Sequence, residues 1–574
     1  MPSGALARRT LFAMILSGLL FAVLHAQVPF ERLREATSEP QNWLTYSGSY
    51  ASTRHTTLSQ ITPANVGELE LQWVYQNRVF GPWQATPLVV DGVMYLTQRP
   101  NDVVALDART GRVFWIYRYD TPSRHRACCG SNNRGVAILD DKLFMATLDA
   151  HVVALDATTG TELWSVEVAD IEQGPYSFTL APLAVKDKVI IGTGGGDLGV
   201  RGFIAALDAA TGEEVWRFHT IPGPGEPGHE TWEPCPPNPT TYCDPEAWKH
   251  GGGSVWLTGS YDPELNLTYW GVGNPGPDYN QSQRPGDNLY ATSVVALDAD
   301  TGELRWHFQF TPNDNYDYDS VQIPVLVDIE RNNTEFKVML WANRNGFYYV
   351  LDRATGRFLS GRPFVTVNWA EGLDDSGRPI QTPQPPGSPT YPGLAGGTNW
   401  YSPSYSPRTE LFYIPAWEDY ATVFDGVPQV WAEGRGGFTG RTPAGLPITF
   451  LPVPDAPNVP QLTRGPINNW TDAVGHGSVL AIDALTGEQK WKFEMTGMIT
   501  SGILTTASDL LFTAARSGYF QALDARDGGL LWRASLGGLM VNGPMSYQVD
   551  GKQYVAVIAG NSLSTFALRD RTTP

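Results

Sequence analysis

Cysteine is scarce in this chain: four residues, Cys128, Cys129, Cys235 and Cys243, among 574. No Cys-x-x-Cys-His occurs, which excludes a c-type haem attached through that motif. Charge is thin as well, at 17% of residues, with 40 Lys and Arg against 59 Asp and Glu and a net charge of −19. So little positive charge excludes nucleic-acid binding through phosphate contacts, which needs a basic face. An acidic surface suits a basic soluble partner instead. After residue 24 no apolar run is long enough to cross a bilayer. Long charged helices do not fit a composition with Gly 59, Pro 44 and Trp 19; many short strands joined by turns do. Apolar residues at 42% are enough for an extensive core.

The N-terminus has a basic start at Arg8 and Arg9, an apolar run from Leu11 to Leu24 and a small residue, Ala26, before Gln27. That pattern predicts a signal peptide over 1–26 and an exported, periplasmic chain; an uncleaved anchor is the other reading of the same run. Export favours disulfides. Cys235 and Cys243 bracket a Pro-rich loop, CPPNPTTYC, that a bridge would staple.

Self-similarity dominates the remainder. VVALDARTGRVFW, VVALDATTGTELW, IAALDAATGEEVW and VVALDADTGELRW recur, with further copies around Asp352, Asp483 and Asp524. Each predicts an apolar strand, an Asp-capped turn and a second strand ending in an aromatic that packs between repeats. Seven such units are tagged, at Asp107, Asp156, Asp208, Asp298, Asp352, Asp483 and Asp524. The long gap between Asp352 and Asp483 is expected to hide an eighth unit, with ELFYIPAWEDYATVF at its core. The expectation is an all-β chain, a single eight-bladed β-propeller over 27–574 with loop insertions. The repeat is architecture and says nothing of activity.

Activity must reside where the repeat is broken. RACCGSNNRG places Cys128 and Cys129 side by side, a poor staple, because a bridge there closes almost no chain. Further on come TLAP with Thr179, GTGGGDLGVRG with Asp197, GGGSVW with Trp256 and GVGNPGP with Asn274. RPGDN, TPNDNYDYDS, ANRNG with Arg344 and GGTNW with Asn399 follow. GTGGGDLG lacks the lysine of a phosphate loop. Asp317 and Asp319, two apart on an expected strand, would share a face, where like charges call for a cation. With Asp197 and Asn274 they form an oxygen-only set suited to a hard ion. From spacing alone, a solvated acidic loop fits as well.

Taken together, in this order, these motifs resemble the quinoprotein alcohol dehydrogenases of the methanol/ethanol type, eight-bladed propellers that carry pyrroloquinoline quinone (PQQ). The likeness spans nearly the whole mature chain, and its most specific motif is Cys128-Cys129 followed after three residues by Asn133-Arg134-Gly135. The resemblance implies a Cys128–Cys129 ring disulfide on one face of the quinone and Trp256 on the other. It implies that Arg134, Thr179, Ser254 and Asn399 hold the cofactor's carboxylates and carbonyls. Arg344 would donate near the reactive oxygens, and Gly194, Gly195 and Gly196 would let backbone N–H groups approach the ring. Gln84 stands where the family often has a cofactor-contacting acid, Asp197 where it usually has glutamate, and Tyr316 where it has tryptophan.

By the same resemblance Asp197 and Asn274 are metal ligands and Asp317 is the base that takes the alcohol's proton, with hydride passing to metal-bound PQQ. Asp319 accompanies lanthanide use in the family, and calcium is the alternative. The implied activity is oxidation of a primary alcohol to an aldehyde. Electrons would pass to a separate periplasmic c-type cytochrome, with no fused haem domain, and a homodimer is allowed. A dehydrogenase for polyols, aldehydes or polymers shares these motifs, and the Pro-rich stretches 222–248 and 425–468 would set substrate size. The competing reading is a non-catalytic scaffold of the outer-membrane assembly type. Such a scaffold has the tags but no need of paired cysteines, Asn-Arg-Gly or Asp-Tyr-Asp.

Overall fold

Eight blade sheets follow one another along the chain, seven of four antiparallel strands and one in which His55–Thr56 adds a fifth, parallel strand to four antiparallel ones. A computed structural model describes residues 28–239, 242–385, 388–424, 426–433, 437–440, 448–451, 462–463, 475–495 and 497–570. The leader expected over 1–26 and most of 425–468 lie outside the described residues. Blade 1 is Leu88–Val90, Val93–Gln98, Asp102–Asp107 and Val113–Tyr117. Blades 2 to 5 occupy 137–167, 183–219, 260–309 and 325–363; blade 6 spans 404–495 and blade 7 spans 504–535. The first three strands of each are buried on both faces, as expected of sheets packed between neighbours, and the fourth alternates toward solvent.

The count of eight is as the repeat predicts, but the eighth blade is not the one expected. Leu411–Glu418 pairs with His476–Asp483, so the stretch at 410–424 supplies the second strand of a blade already tagged by Asp483. The intervening residues are an insertion within that blade. The untagged blade is the closure: Met545–Val549, Lys552–Ala559 and Ser562–Leu568 are completed by Leu69–Gln76 from the other end of the chain.

The tags explain how blades register. Asp298 Oδ1 accepts the N–H groups of Asp300 and Thr301 at 2.9 and 3.1 Å, closing the turn. Gly302 then takes φ +71°, where a Cβ would lie 2.5 Å from the Trp216 ring of the preceding blade. Trp216 Nε1 in turn donates to Ala299 O at 3.2 Å. The same glycine-on-tryptophan contact joins Gly111 to Trp73, Gly160 to Trp115, Gly212 to Trp164, Gly356 to Trp306 and Gly528 to Trp491. Gly302→Ala combines a strained left-handed backbone with overpacking, and should lower unfolding stability by about 2–4 kcal/mol. A denaturation midpoint unchanged from wild type would contradict this registering role.

One stretch, 43–57, ties the blades at their axis. Trp43 donates its N–H to Val89 O, and Tyr50, Ala51, Thr53 and Arg54 carbonyls accept from Tyr261, Leu326, Tyr405 and Thr505. These partners are first strands of blades 1, 4, 5, 6 and 7, so the first strands line a common axis. Arg54, 1% exposed, donates to the carbonyls of Ile503, Tyr46 and Pro544.

His55 Nδ1 lies 2.9 Å from Thr505 Oγ1, and burial, helped by Arg408, holds the imidazole down at about 4. The folded chain therefore binds this proton more weakly than the unfolded one. The stabilisation is complete above pH ~6.5 and is lost as pH falls toward 4, amounting to roughly 3 kcal/mol in all. His55→Gln should flatten the pH dependence of stability across that window in a melting series; an unaltered slope would contradict it.

Candidate active site

Topology decides where the repeat-breaking residues meet. In a four-stranded antiparallel blade, the connection from strand 2 to strand 3 and the connection onward to the next blade lie at the same end. Gly194–Asp197, Asn274 and Arg344 sit on strand 2–3 connections of blades 3, 4 and 5. Gln84, Cys128–Arg134, Thr179, Ser254–Trp256, Asp317–Asp319 and Asn399 sit on connections between blades. All of these loops therefore open at one end of the axis, opposite the tag turns.

The floor of this end is Tyr46, packed with Ala181, Leu257, Val321 and Ile323 and against Trp256 and Trp400. Above it lies Arg134. Its guanidinium carbon is 4.9 Å from the Trp256 ring and 4.8 Å from the Trp400 ring. Nη1 donates to Thr179 Oγ1 at 2.9 Å and to Trp256 O at 3.3 Å. Among the described residues no carboxylate pairs with it, Nε is buried without a partner, and burial depresses its pKa. On the connection into blade 1, Gln84 Oε1 is also buried without a partner. Gly196 N donates to Ser254 Oγ at 2.7 Å, and a Cβ at Gly196 would meet that oxygen at 2.6 Å. Asn399 is turned to its own loop, its Nδ2 donating to Ala395 O.

The acidic half converges on Arg344. Its Nη1 is 2.8 Å from Asp319 Oδ2 and its Nη2 is 3.3 Å from Asp317 Oδ2. Burial works against the guanidinium's charge, but Asp317 and Asp319 outweigh it and hold the pKa up. Asp319 Oδ1 accepts the Asn274 N–H at 3.0 Å, and only a glycine at 273 leaves room for it, since a Cβ would lie 2.5 Å away. Burial raises Asp319 to about 7; Arg344 opposes this, and Asp317 and Asp197 add to it. The two aspartates share a site, as anticipated, but not through a strand: residues 311–324 are irregular, and Asp317 takes φ +60°.

Cys128 and Cys129 are not joined in this structure; their sulfurs are 2.9 Å apart. Cys128 Sγ donates instead to Asp197 Oδ2 at 2.8 Å, which requires a proton on the thiol. Its pKa is pushed well up by the contact with Cys129, by burial and by Asp197. Cys235 and Cys243 do form the expected disulfide, with Cα atoms 5.8 Å apart.

Several site residues were not anticipated. Trp400 is the second wall around Arg134, and Tyr279 donates its hydroxyl to Asp317 Oδ2 at 3.3 Å. Asp314 accepts the N–H groups of Tyr316 and Tyr318 at 3.2 and 3.0 Å, gripping the backbone on both sides of Asp317. Buried Arg284 donates to the Asp314 carbonyl. Asp314 carried a readable signal, an Asp preceding the backbone groups it caps; Trp400 and Tyr279 carried none, because only the closed ring brings them here.

One end of the propeller thus holds Asp317 and Asp319 on one guanidinium, Asp197 on the Cys128 thiol, and a buried arginine that no carboxylate pairs among the described residues, where no three acidic, His or Cys side chains are gathered closely enough to hold a metal by themselves. The chain matches the family described as "Glucose/ethanol/alcohol dehydrogenase, beta-propeller domain" over residues 43–367. Residues 475–573 match the family "Outer membrane protein assembly factor BamB", which is the blade repeat on which the scaffold reading rested. The chain is 38% identical over 554 residues to "Alcohol dehydrogenase (quinone), dehydrogenase subunit" of Komagataeibacter europaeus, covering 92% of this chain and 73% of that one. Among solved structures, the quinohemoprotein alcohol dehydrogenase ADHIIG of Pseudomonas putida HK5 superposes with TM-score 0.83 at 33% identity, covering 96% of this chain and 84% of that one. A europium-containing methanol dehydrogenase superposes with TM-score 0.82 at 32% identity, covering 94% and 100%. The chain belongs to the PQQ-dependent alcohol dehydrogenases, oxidoreductases built on an eight-bladed propeller.

Proposed function

We propose that this protein oxidises a primary alcohol to an aldehyde in the periplasm and passes the electrons to a separate c-type cytochrome. The observation that carries the reading is Arg134, a buried cation that no carboxylate pairs among the described residues, at the same end of the axis as two aspartates that share the Arg344 guanidinium and a third, Asp197, that accepts from the Cys128 thiol. The residues present fit PQQ and a hard cation. Arg134, Thr179, Ser254, Gln84, Asn399 and the backbone of Gly194–Gly196 would hold the cofactor's polar rim, with Trp256 on one face and Cys128 and Cys129 on the other. Asp197, Asn274, Asp317 and Asp319 would hold the ion. When bound, PQQ supplies the two-electron sink and the ion supplies Lewis acidity.

The chain's own residues do the rest. Asp317 takes the alcohol's hydroxyl proton on a carboxylate that Tyr279 and Arg344 orient from two sides. Asp314 keeps that carboxylate aimed by fixing the backbone around it. Arg344, which now donates to Asp317 and Asp319, would offer its donors to the reacting oxygens, and Asp319 would help hold the ion. Asp319 adds a third carboxylate, which favours a trivalent ion over calcium; the europium-containing relative supports that preference. In an oxidising compartment the two adjacent sulfurs need approach by only about 0.9 Å to bond.

Among the described residues no helix is long and apolar enough to cross a membrane. Without a Cys-x-x-Cys-His to attach haem, electrons leave the chain for a partner. The test is reduction of an artificial dye by apo-protein reconstituted with PQQ and either lanthanum or calcium, across a panel of alcohols. Alcohol-dependent bleaching is expected; none with either ion would overturn the proposal.

A further inference from the structure

The site's rim on the blade 1 side differs in sign from the chain as a whole. Three connections meet there: 76–82, which enters blade 1, 98–102 within it, and 117–131, which leaves it. They carry Arg78, Arg99, Arg118, Arg124 and Arg126 against only Asp102 and Asp120, in a chain of net charge −19. These side chains are neighbours in space. Arg78, Arg118 and Asp102 all act on the Tyr75 phenol, whose hydroxyl accepts from Gln98 Nε2. Arg99 Nη1 donates to Phe80 O at 3.4 Å and its Nε to Ser131 O at 2.8 Å, so one guanidinium ties the entry loop to the cysteine turn. His125 Nε2 is 3.3 Å from Ser131 Oγ, and Arg124 pairs with Glu172 of the next blade.

The entry loop also carries apolar side chains, next to Arg78 in sequence and tied to Arg99 through the Phe80 carbonyl. Phe80 is 82% exposed and Val79 is 41% exposed. Leaving a phenylalanine in water forgoes roughly 1.5–3 kcal/mol of burial. An exposed aromatic flanked by arginines has the composition of a protein-docking surface. Cys129, exposed at the tip of the adjoining turn, is next to Cys128, which contacts the acidic half of the site through Asp197. A redox protein seated on Phe80 would therefore lie against the sulfur pair.

We propose that this rim is the docking face for the electron acceptor, and that the acceptor presents an acidic rim around an apolar centre. This rests on the alcohol dehydrogenase reading above and reverses the basic partner that net charge alone suggests. Oxidation of R–CH2OH to R–CHO releases two electrons and two protons. A one-electron acceptor protein takes one electron at each of two visits, and the protons pass to water. Arginine steering with a small apolar contact suits repeated short visits.

The experiment uses the PQQ- and metal-loaded enzyme with alcohol and three acceptors: a c-type cytochrome with an acidic docking face, a basic cytochrome c and a small phenazine dye. Two variants are compared with wild type, Phe80→Ser and the double variant Arg78→Glu/Arg118→Glu, all at exposed positions. Wild type should prefer the acidic cytochrome, its rate falling as salt rises. Each variant should lose about tenfold or more in kcat/KM for that cytochrome, and the double variant should lose the salt dependence. The dye rate should stay within twofold. Preference for the basic cytochrome, unchanged rates with the acidic one, or a parallel loss with the dye would each overturn the docking assignment. No dye reduction by wild type would overturn the dehydrogenase reading itself, and this inference with it.

Discussion

Replacing Asp317 with Asn should lower kcat for a primary alcohol by about 10²–10⁴-fold while the enzyme still binds PQQ. The amide keeps the shape of the carboxylate and can still accept the Tyr279 hydroxyl, which sits 3.3 Å from Oδ2. It cannot take the substrate's proton. Arg344 would keep its 2.8 Å contact with Asp319, so the guanidinium should stay in place. PQQ content and metal content, measured on the same sample, separate lost chemistry from a lost ligand. Turnover within tenfold of wild type, at full occupancy, would remove Asp317 from the role of base.

Asp319→Ala has the second large effect expected, on the choice of ion. Asp319 and Asp317 share the Arg344 guanidinium, with Asp197 on the Cys128 thiol, and burial alone already disfavours the charge on Asp319. A trivalent ion gains most from a third anionic ligand. Removing it should weaken lanthanum-supported activity by at least about 100-fold, while calcium-supported activity changes less. Arg344, freed from its 2.8 Å partner, would turn fully to Asp317, which tightens that pair and lowers the residual rate with either ion. Equal losses with both ions, which leave the ratio of their activities unaltered, would contradict the lanthanide preference.

The blade count was legible because the tag is a local device. An Asp that caps its own turn and a glycine that meets the tryptophan of the preceding blade can be read residue by residue. The composition of the last blade was not, because its outer strand, Leu69–Gln76, lies at the opposite end of the chain from its partner Ser562–Leu568. No local pattern distinguishes such a strand from an isolated one. The stretch at 410–424 misled for the complementary reason: it has strand composition, but its partner comes after a long insertion.

Much of the site could be read from where the repeat is broken, since the loops that break it all open at one end. What stayed hidden was orientation. Asp317 and Asp319 meet through a left-handed turn held by Asp314, not through strand alternation. Trp400 and Tyr279 have no motif of their own and become site residues only because the ring closes around the axis.

The most direct test of the central claim is an equilibrium titration of PQQ into the metal-loaded protein, followed by its absorbance, for wild type, Arg134→Leu and Trp256→Ala. The account predicts one PQQ per chain in wild type, dependence on the ion, and losses in affinity of at least about tenfold in both variants. Wild-type binding that is absent, or that survives both substitutions unchanged, would contradict it.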